Sequence, residues 1–172
     1  MKLPPISHRY VLDKHPEIKP KLIEIIDNLI EEDPSLYNFT TMSHSDYTVR
    51  THRPPYEGMV RRLVMPALRD YARRWGYNEV INVVMWFARY QDGATFGWHS
   101  HEQCNASAVY MLELPTNEAA TEYYGIEHEV LREGDLFVCP AMIPHRSPII
   151  NGGRKTVIGL NFDIAISSLG VK

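Results

Sequence analysis

Val80-Ile81-Asn82-Val83-Val84-Met85-Trp86-Phe87-Ala88-Arg89-Tyr90 is the stretch on which the fold turns. It is rich in β-branched and aromatic residues and runs into the turn residues Asp92 and Gly93, the pattern of a long strand. Upstream the period is different. From about Glu17 to Asp33, Leu22, Ile23, Ile25, Ile26, Leu29 and Ile30 recur at helical spacing among acids and lysines, and Pro34 stops the helix. The polar stretch from Tyr37 to Pro55 reads as loop with short extended pieces. A second helix is expected from about Tyr56 to Trp75, with Met59, Leu63, Met65 and Leu68 turned inward and Gly76 as its C-terminal stop. Downstream, Ala106 to Leu114, Ile126 to Leu131, Gly134 to Cys139 and Lys155 to Asp163 read as further short strands, and Ile164 to Lys172 as a closing strand and loose end. Many short strands after two helices predict a mainly β fold, a small sandwich or jelly roll with N-terminal helices packed on one face. The chain reads as a single domain over 1–172, with 1–76 a helical support and 77–166 the jelly-roll core.

Composition bounds the function. At 172 residues with a formal net charge of −3, the chain can bury one proper core and has no global attraction for nucleic acid or anionic membrane. No apolar run reaches the length that spans a bilayer, and Met1-Lys2-Leu3-Pro4-Pro5 is not followed by the apolar stretch of a secretory signal. Cys104 and Cys139 sit in separate apolar-looking strands, so buried thiols are expected rather than a disulfide. A soluble, cytoplasmic protein is the expectation.

The chemistry gathers between Tyr90 and Thr156. In an extended strand alternate side chains share a face, so His99 and His101 point one way and Ser100 the other. A third histidine, His145, follows Pro144 at the start of a much later strand. Three imidazole nitrogens make a facial set for one divalent transition metal, with positions left open for substrate and oxygen. Single histidines are more often surface or hydrogen-bonded residues, which is the reading for His8, His15, His44, His52 and His128.

The run Tyr90-x-x-Gly93-x5-His99-x-His101, the strand Ser107-Ala108-Val109-Tyr110-Met111-Leu112, then Gly134-Asp135-Leu136-Phe137, Pro144-His145 and Arg154-Lys155-Thr156 resembles the double-stranded β-helix core of the iron(II)/2-oxoglutarate-dependent dioxygenases. The small prolyl-hydroxylase-like and phage-type members are nearest in pattern, over roughly Asn82 to Asp163. The resemblance implies Fe(II) and 2-oxoglutarate as cofactor and co-substrate, with O2 and an unidentified protein side chain or small molecule as further partners. By position His99 is the first iron ligand and His145 the distal one. Arg154 is expected to pair with the distal carboxylate of 2-oxoglutarate, a task suited to a guanidinium fork, and Thr156, on the same strand face, to share it. Tyr110 and Tyr90 match positions where a phenol meets the co-substrate. The departure is His101, which stands where most of the family carries Asp or Glu; Glu102 has the wrong parity to replace it. An imidazole there also fills the place a halide would need, which disfavours halogenation.

Other readings stand beside this one. His145 fits a turn cap, Arg154 an exposed arginine after the Asn151-Gly152-Gly153 turn, and Tyr90 and Tyr110 plain core. Trp86, Phe96 and Trp98 read as packing or pocket wall. A three-His cupin acting without 2-oxoglutarate fits Gly93-x5-His99-x-His101, although Asn105 and Ala106 stand where its glutamate belongs and Met142 replaces a glycine. A non-catalytic metal-binding sandwich is the third reading, weakened because structural sites are usually closed. Arg50, Arg53, Arg61, Arg62, Arg69, Arg73 and Arg74 read as a solvated face. The loop from Met42 to Gly58 is expected to lie over the pocket, with Arg50, His52 and Arg53 at its mouth.

Overall fold

The computed structural model describes residues 5–37, 42–48, 53–127 and 130–167. Its elements run β1 (His8–Val11), α1 (His15–Glu32), β2 (His44–Ser45), α2 (Glu57–Arg74), β3 (Glu79–Tyr90), β4 (Phe96–His99), β5 (Ala106–Glu113), β6 (Glu122–Tyr123), β7 (Asp135–Pro140), β8 (His145–Ser147) and β9 (Lys155–Ala165), with 3-10 turns at Pro34–Leu36 and Asn117–Ala119. The strands form a six-stranded sheet ordered β1-β7-β5-β9-β3-β2 and a three-stranded sheet ordered β4-β8-β6. Every pairing is antiparallel. This is the mainly β, jelly-roll architecture expected, with α1 and α2 packed on one face of the larger sheet.

The larger sheet is apolar on both faces. Ala106, Ala108, Tyr110 and Leu112 of β5 join Ile158, Leu160 and Phe162 of β9 and Leu136 and Val138 of β7 in a core with Leu22 and Ile26 of α1 and Val60, Val64 and Leu68 of α2. The alternate residues, Val109, Met111, Phe137, Cys139 and Val157, form a second core between the two sheets. One sheet therefore divides a helix side from a sandwich interior, and residue parity decides to which side each chain atom belongs.

Several details differ from expectation. The buried face of α2 is Val60, Val64, Leu68 and Tyr71, with Met59, Leu63 and Met65 only partly covered. The strand expected at Ile126 to Leu131 is absent among the described residues there. Strands β1, β2 and β6 carry no pattern long enough to mark them; each spans four residues or two. Cys139 is a buried thiol in β7, whereas Cys104 precedes β5 and is half-buried; both are free. Gly152 and Gly153 both have φ of +76°, and a Cβ on Gly153 would lie 2.8 Å from Pro115 Cβ. That tight left-handed pair sets where β9 starts and hence which of its side chains enter the sandwich.

Candidate metal centre

His99 closes β4 and His145 opens β8, and the two stand opposite each other in the antiparallel register. His101 lies beyond the end of β4, held by its backbone N–H, which donates to Ala141 O at 2.9 Å. Strand alternation was the expected reason for His99 and His101 to share a face; here the loop after β4 brings His101 round instead. One nitrogen from each of His99, His101 and His145 lies within 4.8 Å of the other two. His101 Nε2 and His145 Nε2 are 3.3 Å apart. Among the described residues this is the one cluster of three or more His, Cys, Asp or Glu side chains that could hold an ion, and it contains no carboxylate.

The donor set fits a divalent transition metal. His99 Nδ1 is 2.9 Å from Gly97 O and His145 Nδ1 is 3.2 Å from Ile143 O. A carbonyl only accepts, so each Nδ1 carries the hydrogen and each Nε2 keeps its lone pair for a ligand bond. Burial lowers the pKa of His99, and that of His145 is pushed down to about 3, by burial first and then by the neighbouring His99. The rings are neutral at pH 7, the form that ligates. Tyr123 of β6 stacks on His145 with centroids 5.5 Å apart, which fixes that ring from behind.

The cluster opens on a cavity of about 200 Å³. Trp86, Phe96, Val109 and Val157 give it apolar walls, as expected of Trp86 and Phe96, while Tyr90, Thr121 and Ser147 supply hydroxyls. Behind those hydroxyls lies Lys155, fully buried, its Nζ donating to Ser147 Oγ at 2.9 Å and to Thr121 Oγ1 at 3.5 Å. The ammonium also sits 5.3 Å from the centroid of the Tyr90 ring. Burial pushes its pKa down to about 7. A cation in the interior whose partners are hydroxyls and a ring, and not a carboxylate, is expensive unless an anion comes to it.

The expected co-substrate residues divide. Tyr90 lines the cavity. Arg154 and Thr156 do not: they lie on the helix side of β9, where Arg154 Nε and Nη2 bind Glu113 at 2.8 and 3.0 Å and Thr156 Oγ1 donates to Glu113 Oε2 at 3.0 Å. Arg89 Nε donates to Thr156 Oγ1 at 3.1 Å and Arg89 also pairs with Asp27 of α1. Tyr110 is also away from the cavity; its hydroxyl meets His15 Nδ1 at 2.7 Å under α1. The parity of β9 is the reason: 155, 157 and 159 face inward, 154, 156 and 158 outward. Lys155, Thr121 and Ser147 were the groups missed. The legible signal for Lys155 was a lysine opening a run of Val, Ile and Leu, a position where a charge needs a purpose.

Met42 and Tyr47 line the cavity, in keeping with a loop over the pocket. Arg53 is turned to solvent, its side chain 91% exposed, while Arg50 and His52 lie outside the described residues. Trp98 points outward, with Arg146 over its ring at 4.8 Å. No helix among the described residues is long and apolar enough to cross a membrane.

No protein-family model matches the chain, and no curated protein matches it in sequence. Solved structures do match in fold. The collagen prolyl hydroxylase of Paramecium bursaria Chlorella virus-1, in its 2-oxoglutarate complex, aligns at TM-score 0.59 and 13% identity over 95% of this chain and 97% of its own. A prolyl-4-hydroxylase of Pseudomonas putida aligns at TM-score 0.63 and 17% identity over 91% of each chain. AviO1 of Streptomyces viridochromogenes aligns at TM-score 0.65 and 13% identity over 96% of this chain and 91% of its own. At these identities the likeness is one of fold.

Proposed function

We propose that the chain is an iron(II)- and 2-oxoglutarate-dependent oxygenase that hydroxylates a protein side chain or small molecule with release of succinate and carbon dioxide. The observation that carries this reading is a three-histidine cluster on a cavity whose hydroxyl wall, Ser147 and Thr121, is backed by the buried ammonium of Lys155. Iron(II), when bound, supplies the oxygen activation that couples decarboxylation of the keto acid to hydroxylation. His99, His101 and His145 hold it through Nε2. Three neutral imidazoles leave the charge of a divalent ion uncompensated, which suits a dianionic co-substrate.

Lys155 takes the role first given to Arg154 and binds the distal carboxylate. The hydroxyls of Ser147 and Thr121 orient the ammonium, and the Tyr90 ring lies beside it. Trp86, Phe96 and Val157 keep water from the reacting face, where each polar contact counts for more. Two of the three neighbours named above are prolyl hydroxylases, so peptides containing proline are the first substrates to try.

The test adds iron(II) to metal-free protein without oxygen, then 2-oxoglutarate, and looks for the weak visible charge-transfer band of the chelate. The band, with succinate formed on admitting air, is the expected result. No band and no succinate would end the reading. Iron bound without response to the keto acid would favour a three-His cupin, which has no use for Lys155.

A further inference from the structure

Two of the three imidazoles have their outer nitrogen on a backbone carbonyl, and that of the third, His101, meets an amide side chain. The partner of His101 Nδ1 is the amide of Asn161, whose Nδ2 stands 3.3 Å away. Asn161 Oδ1 is buried with no hydrogen-bond partner among the described residues. Asn161 sits in mid-sheet, on the inward parity of β9, with Ser107 of β5 opposite it on one side and Val84 of β3 on the other. It is therefore a rigid platform for a histidine that no strand holds.

A half-turn about its last side-chain torsion exchanges the amide's oxygen and nitrogen, and only hydrogen-bond chemistry chooses between the two. With nitrogen facing His101, Nδ1 must accept; the ring hydrogen then sits on Nε2 and points at His145 Nε2, 3.3 Å off. Such a ring has no lone pair for an ion. With oxygen facing, Nδ1–H donates to Oδ1 and Nε2 is bare, as in His99 and His145. The orientation with nitrogen towards His101 leaves Oδ1 buried and unbonded, and the reverse gives that oxygen the donor it lacks.

We propose that Asn161 presents its oxygen to His101 Nδ1–H and is the positioning residue that makes a ligand of the histidine at this site. The inference rests on the three-histidine metal reading. The outer partner of a ligating imidazole sets its tautomer and ring angle, and losing it weakens metal binding by about 10–100-fold.

The test has two independent arms. In metal-free protein, long-range ¹H–¹⁵N correlation from the ring carbons' hydrogens reads the tautomer of His101: Nδ1–H is expected in the natural protein and in Asn161→Asp, with a shift towards Nε2–H in Asn161→Leu. Cobalt(II) titration, followed by its visible d–d absorption, should show Asn161→Asp near the natural affinity and Asn161→Leu about 10–100-fold weaker. An Nε2–H tautomer in the natural protein overturns the inference, as does unchanged cobalt affinity in Asn161→Leu. If the natural protein takes up no cobalt, the metal reading falls and the inference falls with it, whereas an Nε2–H tautomer in metal-free protein that still takes up cobalt strikes Asn161 alone. Should Asn161→Leu fail to fold, the natural spectrum and Asn161→Asp decide.

Discussion

Lys155 and Arg154 are neighbours of like charge with opposite surroundings. Arg154 is satisfied by two carboxylates, Glu113 and Asp27, on the helix side. Lys155 has two hydroxyls and the face of Tyr90. The pKa of Lys155 is lowered to about 7 by burial, from 10.5. Between those values the unfolded chain holds a proton that the folded one gives up, so stability rises with pH through that window, by a few kcal/mol at most. A carboxylate bound at Nζ restores the charged form. Binding of 2-oxoglutarate at pH 8 should then take up close to one proton, read by titration calorimetry in two buffers of different ionisation enthalpy, with the uptake fading below pH 7. Lys155→Met should abolish both the uptake and the stability slope. In turnover assays, Lys155→Ala should raise the 2-oxoglutarate KM by about 100-fold, the loss of a charge-assisted contact worth 1.5–3 kcal/mol. Arg154→Ala should leave that KM in place; a large rise would return the anchor to Arg154.

At the scale of the element, β9 decides the site, and its phase is what the sequence conceals. A strand with one wet face shows its parity by alternation; β9 is apolar on both faces, so Val157, Ile158 and Leu160 read alike whichever way the strand is turned. That is why spacing from His145 leads to Arg154, which faces the helices, and passes over its neighbour Lys155 behind the cavity wall. One residue does mark the phase. Gly159 lies opposite Trp86, and a Cβ there would come within 2.6 Å of two atoms of the indole ring. The ring overlies the strand, lines the cavity and stands 5.7 Å from His101. Gly159→Ala must therefore push Trp86 outward from the sheet. Overpacking of this kind costs about 1–3 kcal/mol. We expect a lower midpoint in urea unfolding together with quenching or shift of Trp fluorescence. Unchanged stability would mean that the ring has room to yield.

Across the whole molecule, what was legible is what repeats over many residues: both helices, the long strands and the layer order. The histidine spacing also announced β4 and the start of β8, through chemistry rather than period. The strand that completes the smaller sheet, β6, was hidden because it spans two residues, too few for any pattern. So small a sheet is marginal on its own. The candidate metal ligands are its clasp, since His145 pairs with His99 on one side and Tyr123 on the other while His101 arrives from the adjoining loop. Binding of a divalent ion should therefore stabilise the fold by mass action, about 2.7 kcal/mol at a hundred times Kd, which in a domain of this size is a rise in Tm of about 5–10 °C. The larger sheet is buried and paired without the ion, so beyond this global gain only the smaller sheet should also lose its local openings. Under native conditions, hydrogen exchange with Zn(II) present should slow most at residues 96–101 and 145–147, and His145→Ala should erase both effects. Equal slowing over the whole chain would instead mean that the ion acts on global unfolding alone, and that the smaller sheet needs no clasp.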